Sequence, residues 1–285
     1  SWTAGIPSAK SRRCTAYEQL RVFQAVAEGG EVRFISLGWG VQSFTLAAMV
    51  ALGELEPVDA AIHSDTGYES KLTYEFAERW TGWLTSHGVR VVTVKGSSGT
   101  LGELFHTTVA GNRFLRIPAF YEKDGASVIM ARQCTTNWKL VPVRRWIAAN
   151  RNKQPVEQWI GISLDEIERT RRADVKYITN RFPLIEKRMT RNACMLWLER
   201  YGIEVPPKSA CIFCPYHNKA GWVKTKGVPD DWRRAVEVDE HIRDFDPPLK
   251  TYLTSYLKPL TELDLSTPEE KGQMNFFDCS GTCWL

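Results

Sequence analysis

The sequence predicts an α/β fold built on a parallel sheet, and three observations carry that prediction. Phe34-Ile35-Ser36-Leu37 is an apolar strand-like run that ends in the tight turn Gly38-Trp39-Gly40 and enters a helix through Gln42 and Ser43. His63-Ser64-Asp65-Thr66-Gly67 ends a second such run on another small turn. Helical spacing fills the intervals, and strand–helix–strand alternation implies parallel strands joined by right-handed crossovers.

The elements follow in order. Residues 1–17 read as a polar, basic tail, and Ala16 to Ala27 as a short helix stopped by Gly29-Gly30. Strand one is Val32 to Leu37, and Ser43 to Leu52 is its helix, with Phe44, Leu46, Ala47, Met49 and Val50 apolar. Strand two is Ala60 to His63. Phe76, Trp80 and Leu84 mark a helix over Lys71–Ser86, and Val89 to Val94 is strand three. Gly96 to Gly102 is a loop, and 105–131 reads as a loop-rich binding excursion. Asn137 to Ala149 is a helix, Trp159 to Ile162 a strand ending at Gly161, and Thr190 to Tyr201 a capped helix stopped by Gly202. The expected organisation is a tail over 1–30, a nucleotide-binding domain over 31–210 and a cysteine-bearing region over 211–285.

Composition narrows the class. Apolar content of 43% and charged content of 25% are those of a globular protein. No apolar run is long enough for a membrane helix, and Ser1 to Arg13 has no secretory core, so a cytoplasmic setting is expected. Net charge is +4, yet residues 101–200 hold 18 Lys/Arg against 10 Asp/Glu, which points to a polyanionic partner or a solvated basic face. The seven cysteines are odd in number, and in a chain of this size they read as metal, cluster or redox chemistry rather than staples.

A glycine turn opening a helix aims backbone N–H groups at one point, which suits a phosphate. The same turn is also a plain strand–helix connection that needs glycine for its backbone angles. The order of pieces decides for the first. After Ser36–Ser43 and Ser64–Glu69 come Gln133-Cys134-Thr135-Thr136-Asn137-Trp138-Lys139, then Trp159 through Arg169, then Pro183 through Cys211-Ile212-Phe213-Cys214-Pro215. With these, the chain resembles the PP-loop ATP pyrophosphatases, in the branch of the phosphoadenosine-phosphosulfate reductases, and is similar to the ATP pyrophosphatases of DNA phosphorothioation systems. One departure stands out. Gly38, Trp39 and Gln42 occupy the first Ser, first Gly and Asp positions of the family's Ser-Gly-Gly-x-Asp-Ser loop, while Gly40 and Ser43 are retained.

The resemblance implies a Rossmann-like sheet and cleavage of ATP to AMP and pyrophosphate, activating an acceptor for sulfur incorporation, with DNA favoured as acceptor. It places nucleotide over Ser36, Gly38, Trp39, Gly40, Val41, Gln42 and Ser43, over Asp65, Thr66 and Gly67, and over Gly161 and Arg169, joined by Arg171 or Arg172. Ser43 is a hydroxyl donor, and Asp65 holds Mg²⁺ or the ribose or else caps its own turn. Trp39 would narrow the pocket or stack on a ligand. Cys134, Cys194, Cys211 and Cys214 would ligate a [4Fe–4S] cluster, with a three-cysteine cluster with an open iron, a zinc site or no metal as the alternatives, and a packed core thiol as the alternative role of Cys194. Cys279 and Cys283 read as a redox pair, a persulfide carrier or a tail. Implied partners are ATP, nucleic acid and a sulfur-carrying protein such as a cysteine desulfurase. The competing functions are a sulfonucleotide reductase and a non-catalytic nucleotide-binding subunit.

Overall fold

The computed structural model describes residues 31–107, 113–246 and 248–266. The tail and helix expected over 1–30, and Cys279 and Cys283, lie outside the described residues. What is described falls into two units, one of 31–103 with 132–211 and one of 104–131 with 212–266.

The first unit holds a five-stranded parallel sheet: β1 (Val32–Ser36), β2 (Ala60–Asp65), β3 (Val91–Lys95), β4 (Val156–Ile160) and β5 (Ile178–Arg181). Their order is β3-β2-β1-β4-β5. The chain is therefore a Rossmann-type α/β protein whose strand order reverses once, between β1 and β4. Apolar residues alternate across β1. Ile35 and Leu37 face one core with Phe44, Phe76, Leu84 and Leu198, which belong to helices α1 (Val41–Ala51), α2 (Lys71–Ser86) and α4 (Arg191–Arg200). Val32 and Phe34 face the other core with Ala60, Ile62, Val143 and Ile147, the last two from α3 (Val141–Asn150). Both faces are covered, so β1 sends apolar side chains to each.

The helix expected from Asn137 begins earlier and in a different form. Thr135–Leu140 is a π-helical turn that hands over to α3 at Pro142. Proline has no N–H, so the Trp138 carbonyl loses its helical partner. Ser64 Oγ replaces it, donating at 2.6 Å. A Cβ on Gly96 would lie 2.1 Å from that same oxygen, so only glycine lets the loop after β3 pass. α4 begins as expected, with the Thr190 side chain accepting from the Ala193 N–H at 3.1 Å.

In the second unit, the loop expected over 105–131 contains strands. Phe105–Thr107 pairs with Arg113–Leu115, and Phe120–Lys123 pairs with both Ala126–Ile129 and Thr251–Tyr252. Asp124 and Gly125 turn the second hairpin at φ of 53° and 76°. Helices Lys219–Lys226 and Pro229–Ile242 complete the unit, with Asp239 buried and accepting from the Leu253 and Leu260 N–H groups. Among the described residues no helix is long and apolar enough to cross a membrane.

Candidate nucleotide site

The first turn lies at the C-terminal end of β1. Gly40 is the N-cap of α1, no side chain caps that end, and the first helical turn holds no acidic residue. Its N–H donors are thus offered to an outside anion, with the helix dipole in favour. The turn is also held rigid from within. Ser43 Oγ accepts from the Gly38 N–H at 3.0 Å and donates to the Gly40 carbonyl at 3.3 Å. Ser209 Oγ donates to the Gly38 carbonyl at 2.5 Å, and Gln158 Nε2 donates to Ser36 Oγ at 2.7 Å. Ser209 is not legible in the sequence, because nothing local ties it to a turn 171 residues earlier.

Trp39 packs inward from this turn. Its φ is 53°, and its indole is buried, edge-on to Phe76 at 6.3 Å and tilted against Phe44 at 6.1 Å. The ring anchors the turn to the core and also walls the cleft beside Asp65. Val41 is likewise a core residue.

The loop after β4 meets this turn where the strand order reverses. A Cβ on Gly161 would stand 2.6 Å from Ser43 N and 2.7 Å from Ser43 Cα. Gly161 therefore serves α1 by close backbone approach. Gln42 fixes the same junction. Its Nε2 donates to Ser163 Oγ at 3.2 Å and Glu166 Oε2 at 3.1 Å, and its Oε1 accepts from Arg191 Nη1 at 2.8 Å. The amide uses both of its ends, and Glu166 sets a carboxylate beside it. Arg169 pairs with Glu166 at 2.7 Å, its side chain 62% exposed.

The second turn follows β2. Asp65 Oδ1 accepts from the Gly67 N–H at 2.8 Å and from Tyr74 OH at 2.7 Å. Burial and the neighbouring Asp65 carboxylate hold the Tyr74 phenol well above its ordinary value, so it stays a donor. Gly67 and Gly99 pass back to back, both at positive φ, and a Cβ on Gly67 would lie 2.6 Å from Gly99 Cα. His63 is buried. Desolvation lowers its pKa, and its neutral Nδ1–H donates to the Leu37 carbonyl at 3.1 Å. A cavity of about 220 Å³ opens beside Asp65, walled by Trp39, His63, Glu69, Thr73 and Tyr74. Asp65 keeps Oδ2 for a ligand. One carboxylate with phosphate oxygens is a usual Mg²⁺ set, so the donors fit that ion.

Thr66 is buried and turns away from this cleft to a second cluster. Its hydroxyl lies 3.4 Å from Glu69 Oε1 and 3.6 Å from Cys211 Sγ. Lys139 Nζ pairs with Glu69 Oε1 at 3.2 Å, while Glu69 Oε2 is buried without a partner. Burial opposes the Lys139 charge, but Glu69 and the sulfurs of Cys211 and Cys134 outweigh it and raise its pKa. The structure brings Cys134 and Cys211 to Lys139 and leaves Cys194 elsewhere. Cys194 is fully buried in the α1–α4 core, near Thr45, Asp165 and Arg191, and burial pushes its thiol up to about 11. Cys214 belongs to the second unit. Among the described residues no three His, Cys, Asp or Glu side chains are grouped to hold a metal ion. Packed in this core, Cys194 does not fit four-thiolate ligation with Cys134 and Cys211.

No family model matches the chain, and no curated protein matches it. Among solved structures it is similar to a phosphoadenylyl-sulfate reductase from Candida auris in its phosphate complex. The two are 12% identical, with a TM-score of 0.41, over 66% of this chain and 81% of that one.

Proposed function

We propose that this chain is an ATP pyrophosphatase, cleaving ATP to AMP and pyrophosphate to activate an acceptor for sulfur incorporation. The observation that carries the reading is the uncapped glycine turn opening α1 at the strand-order reversal, closed against Gly161. Crevices at such reversals, outside the carboxyl ends of the strands, are where doubly wound sheets take nucleotides. Phosphates lie on the α1 N-terminus, and Asp65 Oδ2 takes Mg²⁺ or the ribose. The charge that develops on departing pyrophosphate meets N–H groups already fixed by Ser43 and Ser209, so little reorganisation accompanies the step. Positioning and charge stabilisation suffice: an oxygen of the acceptor attacks the α-phosphorus as pyrophosphate leaves, and the sulfur donor then displaces AMP from the adenylylated acceptor. The basic 101–200 stretch supports a nucleic acid, DNA first, as that acceptor. The five ordered motifs support the link to sulfur and to a sulfur-carrying partner.

ATP labelled at the α-phosphate tests the reading. AMP and pyrophosphate are the expected products. Ser43→Ala, which unbraces the turn, and Asp65→Asn, which removes the charge offered at Oδ2, should each lower turnover by about a hundredfold. ADP and phosphate as products, or no turnover with nucleic acid and a sulfur donor present, would overturn it.

A further inference from the structure

β5 is an edge strand of the sheet. Its flank is met by the segment 170–176, where the Arg171 carbonyl accepts from Asn180 Nδ2 at 2.9 Å. Segment and strand bound a groove of about 520 Å³ whose walls carry Arg171, Arg172 and Lys176 and no carboxylate. Arg171 is steadied by its own backbone, donating to the Glu168 and Thr170 carbonyls. Arg172 and Lys176 have no hydrogen-bond or ion-pair partner among the described residues. Asp174, the acid between them, is drawn off by Arg144. Val175, Ile178 and Phe182 add apolar surface to the same groove.

Unpaired cations gathered around an apolar lining suit a ligand that is both anionic and flat. We propose that this groove holds single-stranded nucleic acid, its phosphates on Arg172 and Lys176 and a base against Phe182. A single strand is favoured over a duplex because its bases are free to enter a groove and stack. The segment also has a direction. It leaves from Arg169, which pairs with Glu166, which in turn bonds Gln42 in the nucleotide turn. A strand in the groove is thereby led toward the nucleotide. The inference rests on the reading of the acceptor as nucleic acid and assigns its docking surface.

Fluorescence anisotropy of a labelled oligothymidylate, with a duplex of equal length in parallel, tests it on the full chain. Lys176→Glu and the double variant K176E/T179E place negative charge in the groove without touching the nucleotide turn. The double variant should bind the single strand about tenfold more weakly. Its log–log salt slope should shrink by ~0.7, the share of one phosphate that Lys176 no longer neutralises. Circular dichroism and the affinity for a non-cleavable ATP analogue should match those of the unaltered chain. Equal oligothymidylate affinity in the folded double variant, or tighter binding of the duplex, would overturn the assignment. If the unaltered chain cleaves no ATP yet binds the oligonucleotide in a groove-sensitive way, the pyrophosphatase reading falls and the groove stands.

Discussion

A methyl group is enough to disturb the candidate site at Gly161, because the space it would need is already filled by the backbone of Ser43. Neither neighbour is a flexible side-chain end, so the α1 N-terminus itself must move. Gly161→Ala is expected to cost about 1–3 kcal/mol in a denaturant melt, the range for overpacking, and to lose turnover beyond what stability explains. Gln42 makes a sharper test. Aspartate there would lose the amide donor and set a carboxylate against Glu166. Q42D should therefore lower turnover, and E166Q in the same chain should recover part of it; a silent Q42D would show that the amide is dispensable. His63 supplies the pH dependence. Desolvation lowers its folded pKa below the unfolded value of 6.5, so the unfolded state binds the proton more readily. Stability should be unaffected by this group above that value and fall as pH drops below it. A melt series on His63→Asn that keeps the same acid-side slope would contradict the assignment.

Among the elements, the π-helical turn is the one whose local chemistry is most tightly bound to its surroundings. It sets Lys139 against Glu69, which is buried and has one oxygen already without a partner. Lys139→Met leaves that carboxylate unneutralised. The Lys139 side chain is 41% exposed, so the buried-pair penalty is discounted to about 1–3 kcal/mol. The K139M/E69Q pair should recover most of that loss in a double-mutant cycle, and additive losses would mean that the two charges do not couple. This element also marks a limit of sequence reading. Helical periodicity over 137–149 is visible, but the π form arises from Pro142 and from Ser64, 74 residues away. The helix Lys71–Ser86 is legible to the residue, because Phe76 and Leu84 repeat on one face of an otherwise polar stretch. The hairpin over 120–129 escapes the sequence reading although Asp124-Gly125 is a strong two-residue turn signal; its flanking strands are short and half exposed, so their alternation is faint.

Over the whole molecule, strands β1 to β4 are readable because apolar side chains gather in them and glycine turns punctuate them, while β5, Ile178–Arg181, is polar, lies at the sheet edge and escapes the reading. The grouping of residues 104–131 with 212–266 is not readable, because a long gap in sequence separates them and no local pattern announces such a pairing. The division into two units gives ligand binding a local signature. The nucleotide turn and Cys194 belong to the same unit and the same core, since α1 lies between them. The Cys194 thiol is fully buried and its pKa is raised, so it reacts only when this core opens. A ligand that binds the closed form alone lowers the open population by mass action. At a concentration of a non-cleavable ATP analogue about a hundred times its Kd, the stabilisation is about 2.7 kcal/mol, or about a hundredfold slower labelling. Site-resolved mass spectrometry after iodoacetamide should show that protection at Cys194. Labelling of Cys194 at an unchanged rate under saturating analogue would place nucleotide binding elsewhere than on the α1 turn.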